Sequence, residues 1–250
     1  AEQGASPESL EQATCSLRAL LPSLDVHQVP ASKLLCDGWQ DEVCLLVFPG
    51  GGDLGYCKAL GSEGVAKIRR FVEQGGAYLG FCAGAYFGST YCEFEKGTSI
   101  EVCGSRELSL FPGRAVGCAY PGYDYKSHRF ARAVPLSIKP PSTESFGLSE
   151  ETQLISYLNG GCFFEEASSF EGVEVVATFS ELDKAAIVAG SLGKGRWMLS
   201  GAHLEFDPAT LSQDEYHELI LPALQEADPA RKKLLSYFLS SLTSSATAAA

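Results

Sequence analysis

Gly80-Phe81-Cys82-Ala83-Gly84 sets a thiol among small residues at the end of an apolar stretch. This is the pattern of a nucleophile elbow, in which a strand ends, the chain turns sharply and a helix starts immediately after the nucleophile. So tight a turn leaves no room for Cβ atoms two positions to either side, which accounts for glycine at 80 and 84. The turn exposes the sulfur above a sheet and at a helix N-terminus, where backbone dipoles favour thiolate over thiol. Cys82 is therefore expected to be the fastest-reacting thiol. A cysteine nucleophile needs a base within hydrogen-bond reach, and the base needs an acceptor to fix its tautomer. Of the four histidines, His203 fits: Gly201-Ala202-His203-Leu204-Glu205 follows a strand-like run ending at Ser200, and Glu205 two residues on can orient the ring. His27 sits in a short strand-like segment, His217 in a helical one, and His128 beside Lys126 on an expected surface. A tetrahedral intermediate also needs two converging backbone N–H groups. Ala83 offers one, and Gly51 or Gly52 of the run Pro49-Gly50-Gly51-Gly52 offers the other, with Asp53 a candidate helix cap. Each feature alone has an ordinary reading, as a buried thiol, a structural histidine or a glycine turn; their order and context favour chemistry.

The elements that must position these groups are legible in part. Ser6-Pro7 reads as a cap followed by proline at the first helical position, and Leu10, Ala13, Leu17 and Leu20 repeat at helical spacing. Residues 25–29 look like a short strand, and Val43–Phe48 is an apolar run of the kind buried on both faces of a parallel sheet. Val65, Ile68, Phe71 and Val72 mark a helix ended by Gly75-Gly76; Ala77–Phe81 is a strand and Ala83–Tyr91 a helix. Strand and helix alternate, which argues for parallel βα units. Further on, Ala185–Ala189 and Arg196–Ser200 read as strands, 213–226 and 229–241 as two helices, and 241–250 as a disordered Ser/Thr/Ala tail.

Composition bounds the reading. The 250 residues carry 19 Lys plus Arg against 31 Asp plus Glu, a net charge of −12. That balance repels phosphate backbones, and the short basic runs Lys126–Arg132 and Arg231–Lys233 read as solvated faces, so no nucleic-acid partner is expected. Nine cysteines, an odd number without a CxxC pair, suit free thiols in a reducing compartment. No apolar run reaches a membrane span and no signal peptide is visible, although the chain begins at Ala1 without methionine. A cytoplasmic location is expected. No Cys/His cluster has ligand spacing, so neither a metal nor a cofactor is expected.

The order Cys82, His203, Glu205 and the motifs around them resemble the class I glutamine amidotransferase superfamily. Phe48–Leu54, Gly80–Phe87, Gly104–Leu108, Phe111–Gly113, Ala131–Val134, Tyr157–Gly161 and Gly201–Pro208 narrow the resemblance to the amidotransferase-like N-terminal domain of eukaryotic biotin-protein ligases. It covers roughly residues 4–240, and the motifs are specific in combination. The resemblance implies a single α/β domain over 1–240, a three-layer sandwich with a mostly parallel, flavodoxin-like sheet. It implies a catalytic set of Cys82, His203 and Glu205, with Gly50, Gly51, Gly52, Ala83 and Tyr86 around the oxyanion and the substrate. The partners it implies are a small-molecule ligand or substrate and a biotin-ligase domain in the same or another chain.

Three departures stand out. Working glutaminases of this superfamily usually carry Gln four residues after the cysteine; here Tyr86 stands there, so free glutamine is not the expected substrate. The family's domain opens with an apolar strand just before the segment matching Gly4-Ala5-Ser6, so a strand is expected to be missing and the chain poorly stable without it. The ligase catalytic domain is absent from the sequence, and Gly193-Lys194-Gly195-Arg196 reads as a turn. Two functions remain open: a cysteine hydrolase acting on an amide or ester, and a non-catalytic regulatory or ligand-binding module. A redox-sensing thiol is a third, which would need no histidine partner.

Overall fold

The computed structural model of the chain describes residues 4–138, 152–212 and 214–244. Ser6 caps the first helix, α1 (Pro7–Leu20), by accepting the Ser9 amide at 3.1 Å, with Pro7 at the first helical position. A short helix α2 (Ala31–Leu35) leads to β1 (Leu45–Phe48), α3 (Asp53–Glu73), β2 (Ala77–Phe81) and α4 (Ala83–Gly88). Strands β3 (Ser89–Phe94), β4 (Val102–Ser105), β5 (Phe111–Gly117), β6 (Arg132–Ile138), β7 (Thr152–Leu158), β8 (Phe163–Phe164), β9 (Val173–Phe179), β10 (Lys184–Leu192) and β11 (Gly195–Ser200) follow, and α5 (Glu215–Thr243) closes the described chain.

Alternation along the first strands builds three layers. Leu46 and Phe48 of β1, Tyr78 of β2 and Trp197 and Leu199 of β11 pack with Leu60, Ile68 and Phe71 of α3. The opposite face, with Leu79, Phe81 and Met198, packs against Leu17 of α1 and Leu235, Phe238 and Leu239 of α5. Full burial of such side chains stabilises the fold by about 1.5–3 kcal/mol each.

The fold is α/β, as expected, with a mixed rather than mostly parallel sheet. Among the described residues β1–β2, β2–β11 and β3–β5 pair in parallel, and the remaining pairs are antiparallel. The reason lies in the connections. β10 and β11 are joined through Gly193-Lys194, the turn expected there, and a connection that short can only join antiparallel strands. Parallel pairing of β2 with β11 sets Phe81 beside Ser200. The residues after both strands, Cys82 and Gly201–His203, therefore emerge at the same edge of the sheet.

Four expectations need correction. Residues 25–29 form no strand and are mostly exposed, with no pairing to any described strand. The helix expected over 83–91 stops at Gly88, and Ser89–Phe94, with its β-branched and aromatic residues, pairs as β3 instead. The two helices expected at 213–226 and 229–241 are one, with Pro222 and Pro229 inside it. Both prolines and the residues four before them, Glu218 and Gln225, are exposed, so water can satisfy the freed carbonyls. That helix runs through Thr243, so 241–243 of the expected tail are helical; 245–250 lie outside the described residues.

The elbow depends on close backbone contact. A Cβ on Gly80 would sit 2.5 Å from the Gly84 carbonyl oxygen, and one on Gly84 would overlap the Phe48 carbonyl oxygen of β1. Neither neighbour is a movable side-chain tip. Gly84→Ala is expected to lower unfolding free energy by about 1–3 kcal/mol, read as a shift in urea midpoint at unchanged slope. An unshifted midpoint would show that β1 and α4 can separate freely.

Candidate active site

Cys82 stands between β2 and α4 with φ 47° and ψ −102°, a left-handed conformation that a residue with a Cβ rarely adopts. Such backbone costs about 1–3 kcal/mol and persists only where its surroundings enforce it. Here the enforcing contacts are the Gly80–Gly84 and Gly84–Phe48 approaches. The thiol is 7% exposed, lies 3.8 Å from the Asn159 carbonyl oxygen, and opens onto a cleft of about 440 Å³ shared with His203.

His203 follows β11 and is bridged to β7, its amide donating to the Tyr157 carbonyl at 2.8 Å. Its Nδ1 meets Glu205 Oε1 at 2.7 Å, with both side chains buried. Burial opposes charge on the ring. The Glu205 carboxylate and the Cys82 side chain outweigh it and push His203 up to about 10. Burial pushes the thiols of Cys57, Cys92, Cys118 and Cys162 up. All nine cysteines are free.

The glycine loop divides its labour. Gly50 donates its amide to Ser9 Oγ at 2.7 Å, and Gly52 donates to the Gly4 carbonyl at 2.7 Å. Gly52 is therefore not the spare oxyanion donor the sequence allowed. Gly51 and Ala83 carry amides without a hydrogen-bond partner among the described residues. Gly52, not Asp53, is the cap residue of α3; Asp53 pairs with the buried Arg106 Nε at 2.6 Å. Tyr86 is 4% exposed, donates its hydroxyl to the Gly160 carbonyl at 3.1 Å and packs edge-on against Phe94. It fills space beside Cys82 and leaves no free polar group for a substrate.

Sequence reasoning missed several supporting residues. Ser9 Oγ donates to Glu205 Oε1 at 3.1 Å, Ser16 Oγ to the Glu205 carbonyl at 2.6 Å, and Gln12 Oε1 accepts the Asp207 amide at 2.9 Å. These three share one buried face of α1, and their spacing of three and four is the signal that was available. Arg231, expected on a solvated face, is 3% exposed and donates to the Leu204 carbonyl at 2.6 Å and to Asp228. His128, expected at the surface, lines the Cys82 cleft and stacks on the buried His217 at 4.2 Å between ring centroids. His128, Asp214 and His217, distant in sequence, meet with their ligand atoms within 4.8 Å of one another. His27 is exposed.

A family model described as the N-terminal part of biotin-protein ligase matches residues 1–249. The chain is 36% identical over 225 residues to a biotin-protein ligase of Schizosaccharomyces pombe, an overlap of 88% of this chain and 33% of that protein. It is equally 36% identical over 220 residues to an uncharacterized protein of Chlamydia muridarum, covering 86% of this chain and 82% of that one. The chain thus spans a third of the yeast ligase and most of the bacterial protein. Among solved structures, a glutamine amidotransferase superposes with TM-score 0.54 at 18% identity, over 94% of this chain and 95% of that one. PurLQS from Thermotoga maritima superposes with TM-score 0.50 at 15% identity, over 95% and 94%. Identities this low show the fold alone, and that fold is the class I glutamine amidotransferase type. With nearly the whole length matched, the chain belongs to the biotin-protein ligase N-terminal family.

Proposed function

We propose that this domain is a cysteine-nucleophile hydrolase or acyl-transfer module acting on a small amide or ester, associated with a biotin-ligase domain in the same or another chain. The observation that carries the reading is the strained Cys82 backbone beside a buried His203–Glu205 pair. A purely structural cysteine has no need of either. In this mechanism sulfur attacks the carbonyl carbon as the carbonyl pair moves to oxygen, where the Ala83 and Gly51 amides receive it. Collapse breaks the bond to nitrogen or oxygen, and His203 gives its proton to the leaving group. Water, deprotonated by His203, then cleaves the thioester and restores the sulfur. Glu205 keeps the imidazole oriented. No described helix is long and apolar enough to cross a membrane, and a cytoplasmic site of action is part of the proposal.

Tyr86 favours a second reading, a ligand-binding module without turnover. It closes the flank of Cys82 and offers nothing with which to hold a glutamine amide. Misplacing a substrate by about 1 Å can cost roughly a hundredfold in rate. The purified chain is therefore expected to form a Cys82-linked acyl adduct with small activated esters, seen by intact mass and absent in Cys82→Ser, yet to release no ammonia from free glutamine. Cys82-dependent glutamine turnover near the usual enzyme median of about 10 per second would overturn the exclusion of glutamine. Identical behaviour of wild type and Cys82→Ser towards every ester would leave the ligand-binding reading in place of the hydrolase.

Protonation of His203 gives an independent check. Because its folded value stands near 10, above the usual value of about 6.5, the ring keeps its proton throughout the neutral range and loses it only as pH rises towards 10. Cys82, set beside that imidazolium, should accordingly be the first thiol alkylated by iodoacetamide near pH 6, ahead of the exposed Cys15 and Cys36. In His203→Gln that lead should be lost. Peptide mapping that finds Cys15 or Cys36 ahead of Cys82 at pH 6, with no effect of His203→Gln, would rule out the pairing.

A further inference from the structure

Two histidines and an aspartate unused by the chemistry above meet at the mouth of the cleft. We propose that His128, Asp214 and His217 form a binding site for a single transition-metal dication of the zinc class. Asp214 is the cap of α5, and its two oxygens have separate work: Oδ1 accepts the amides of Tyr216 and His217 at 3.0 and 2.9 Å. Oδ2 faces both rings, 2.6 Å from His128 Nδ1 and 3.3 Å from His217 Nδ1. Two imidazole nitrogens and a carboxylate oxygen converging on one point are a donor set that borderline cations favour, and all three atoms lie within 4.8 Å of one another. The two rings are stacked, with 24° between their planes, so an ion about 2.0–2.2 Å from each atom requires the partly exposed His128 ring to turn out of the stack.

The far sides of the rings carry the stronger argument. A metal-bound imidazole donates its other N–H to a carboxylate or another oxygen, which fixes the tautomer. His128 Nε2 lies 3.2 Å from Glu8 Oε2, and His217 Nε2 lies 3.0 Å from the Tyr157 hydroxyl. With metal on both Nδ1 atoms, both Nε2–H groups find oxygen acceptors. Ser212 competes for part of this ground: its hydroxyl and carbonyl lie 2.9 and 3.0 Å from His217 Nδ1, and its hydroxyl 3.0 Å from Asp214 Oδ2. Without a metal, these contacts make the cluster a helix cap stiffened by hydrogen bonds. His128, Asp214 and Tyr157 line the cleft that holds Cys82, which gives an ion its entry path. Three protein ligands leave a coordination position for water or a ligand oxygen.

The test uses the full chain freed of metal by chelation and desalting, titrated with Zn²⁺ and with Co²⁺ as a spectroscopic stand-in. One ion per chain is expected, with Co²⁺ bands of nitrogen and oxygen ligation and no thiolate charge-transfer band, since nine free cysteines are the competing donors. Asp214→Asn preserves a good helix cap while removing the charge, and should weaken Zn²⁺ at least tenfold without moving the metal-free melting temperature. His128→Ala should likewise weaken Zn²⁺ at least tenfold, and Cys82→Ser should bind as wild type does. Absence of stoichiometric binding would overturn the site. So would a thiolate band, or Zn²⁺ affinity unchanged in both Asp214→Asn and His128→Ala.

Discussion

A carboxylate 1% exposed sits at the centre of this molecule's organisation. Burying Glu205 costs several kcal/mol unless hydrogen bonds and an opposite charge offset it, and the surrounding elements are arranged around that demand. His203 supplies the partner on one side and Ser9 the hydroxyl on the other, both to the same oxygen. Ser9 also receives the Gly50 amide, so one hydroxyl ties α1 to the carboxylate and to the glycine loop together. Ser16 and Gln12 fasten the backbone at 205 and 207, while Arg231 of α5 holds the carbonyl at 204. The loop carrying His203 is thereby pinned from two helices. A loop pinned in this way can keep a hydrogen bond of fixed geometry, which an exposed loop cannot.

Much of this was legible in the sequence where one physical rule dominated. A continuous apolar run marked β1, and the need for small residues at a tight elbow marked the end of β2 and Cys82. The constraint behind Gly80 and Gly84 turned out to be backbone against backbone, as the motif implies. What escaped depended on neighbours brought in by folding. Residues 25–29 have strand composition, but a strand exists only through a partner. The polar residues Ser9, Gln12 and Ser16 lie off the apolar stripe of α1, yet they are buried because the loop they face offers them polar partners. Arg231 in a basic run looked solvated; its guanidinium is spent on Leu204 and Asp228. The break expected between 226 and 229 is absent, because Pro222 and Pro229 lie on the exposed side of a helix anchored beyond them by Leu234, Phe238 and Leu242.

The two halves of the chain contribute different things to the cleft. Cys82 and the Ala83 amide come from the parallel β2–α4 unit and the Gly51 amide from the loop after β1, where backbone geometry is set by neighbouring strands. The walls come from segments with no such constraint: Tyr123, Tyr125 and His128 from the connection between β5 and β6, and Tyr216 from the start of α5. Tyr86 links the halves. Its hydroxyl reaches the Gly160 carbonyl, and its ring meets Phe94, whose other side carries Tyr123. With that flank packed, the space beside Tyr86 is small, and the broad approach to Cys82 runs past Tyr123, His128 and Tyr216. The cleft is thus open on its aromatic and imidazole side. Tyr86 closes its own flank with a packed ring whose one polar atom is already committed to the Gly160 carbonyl, so what approaches Cys82 meets tyrosine and histidine side chains first.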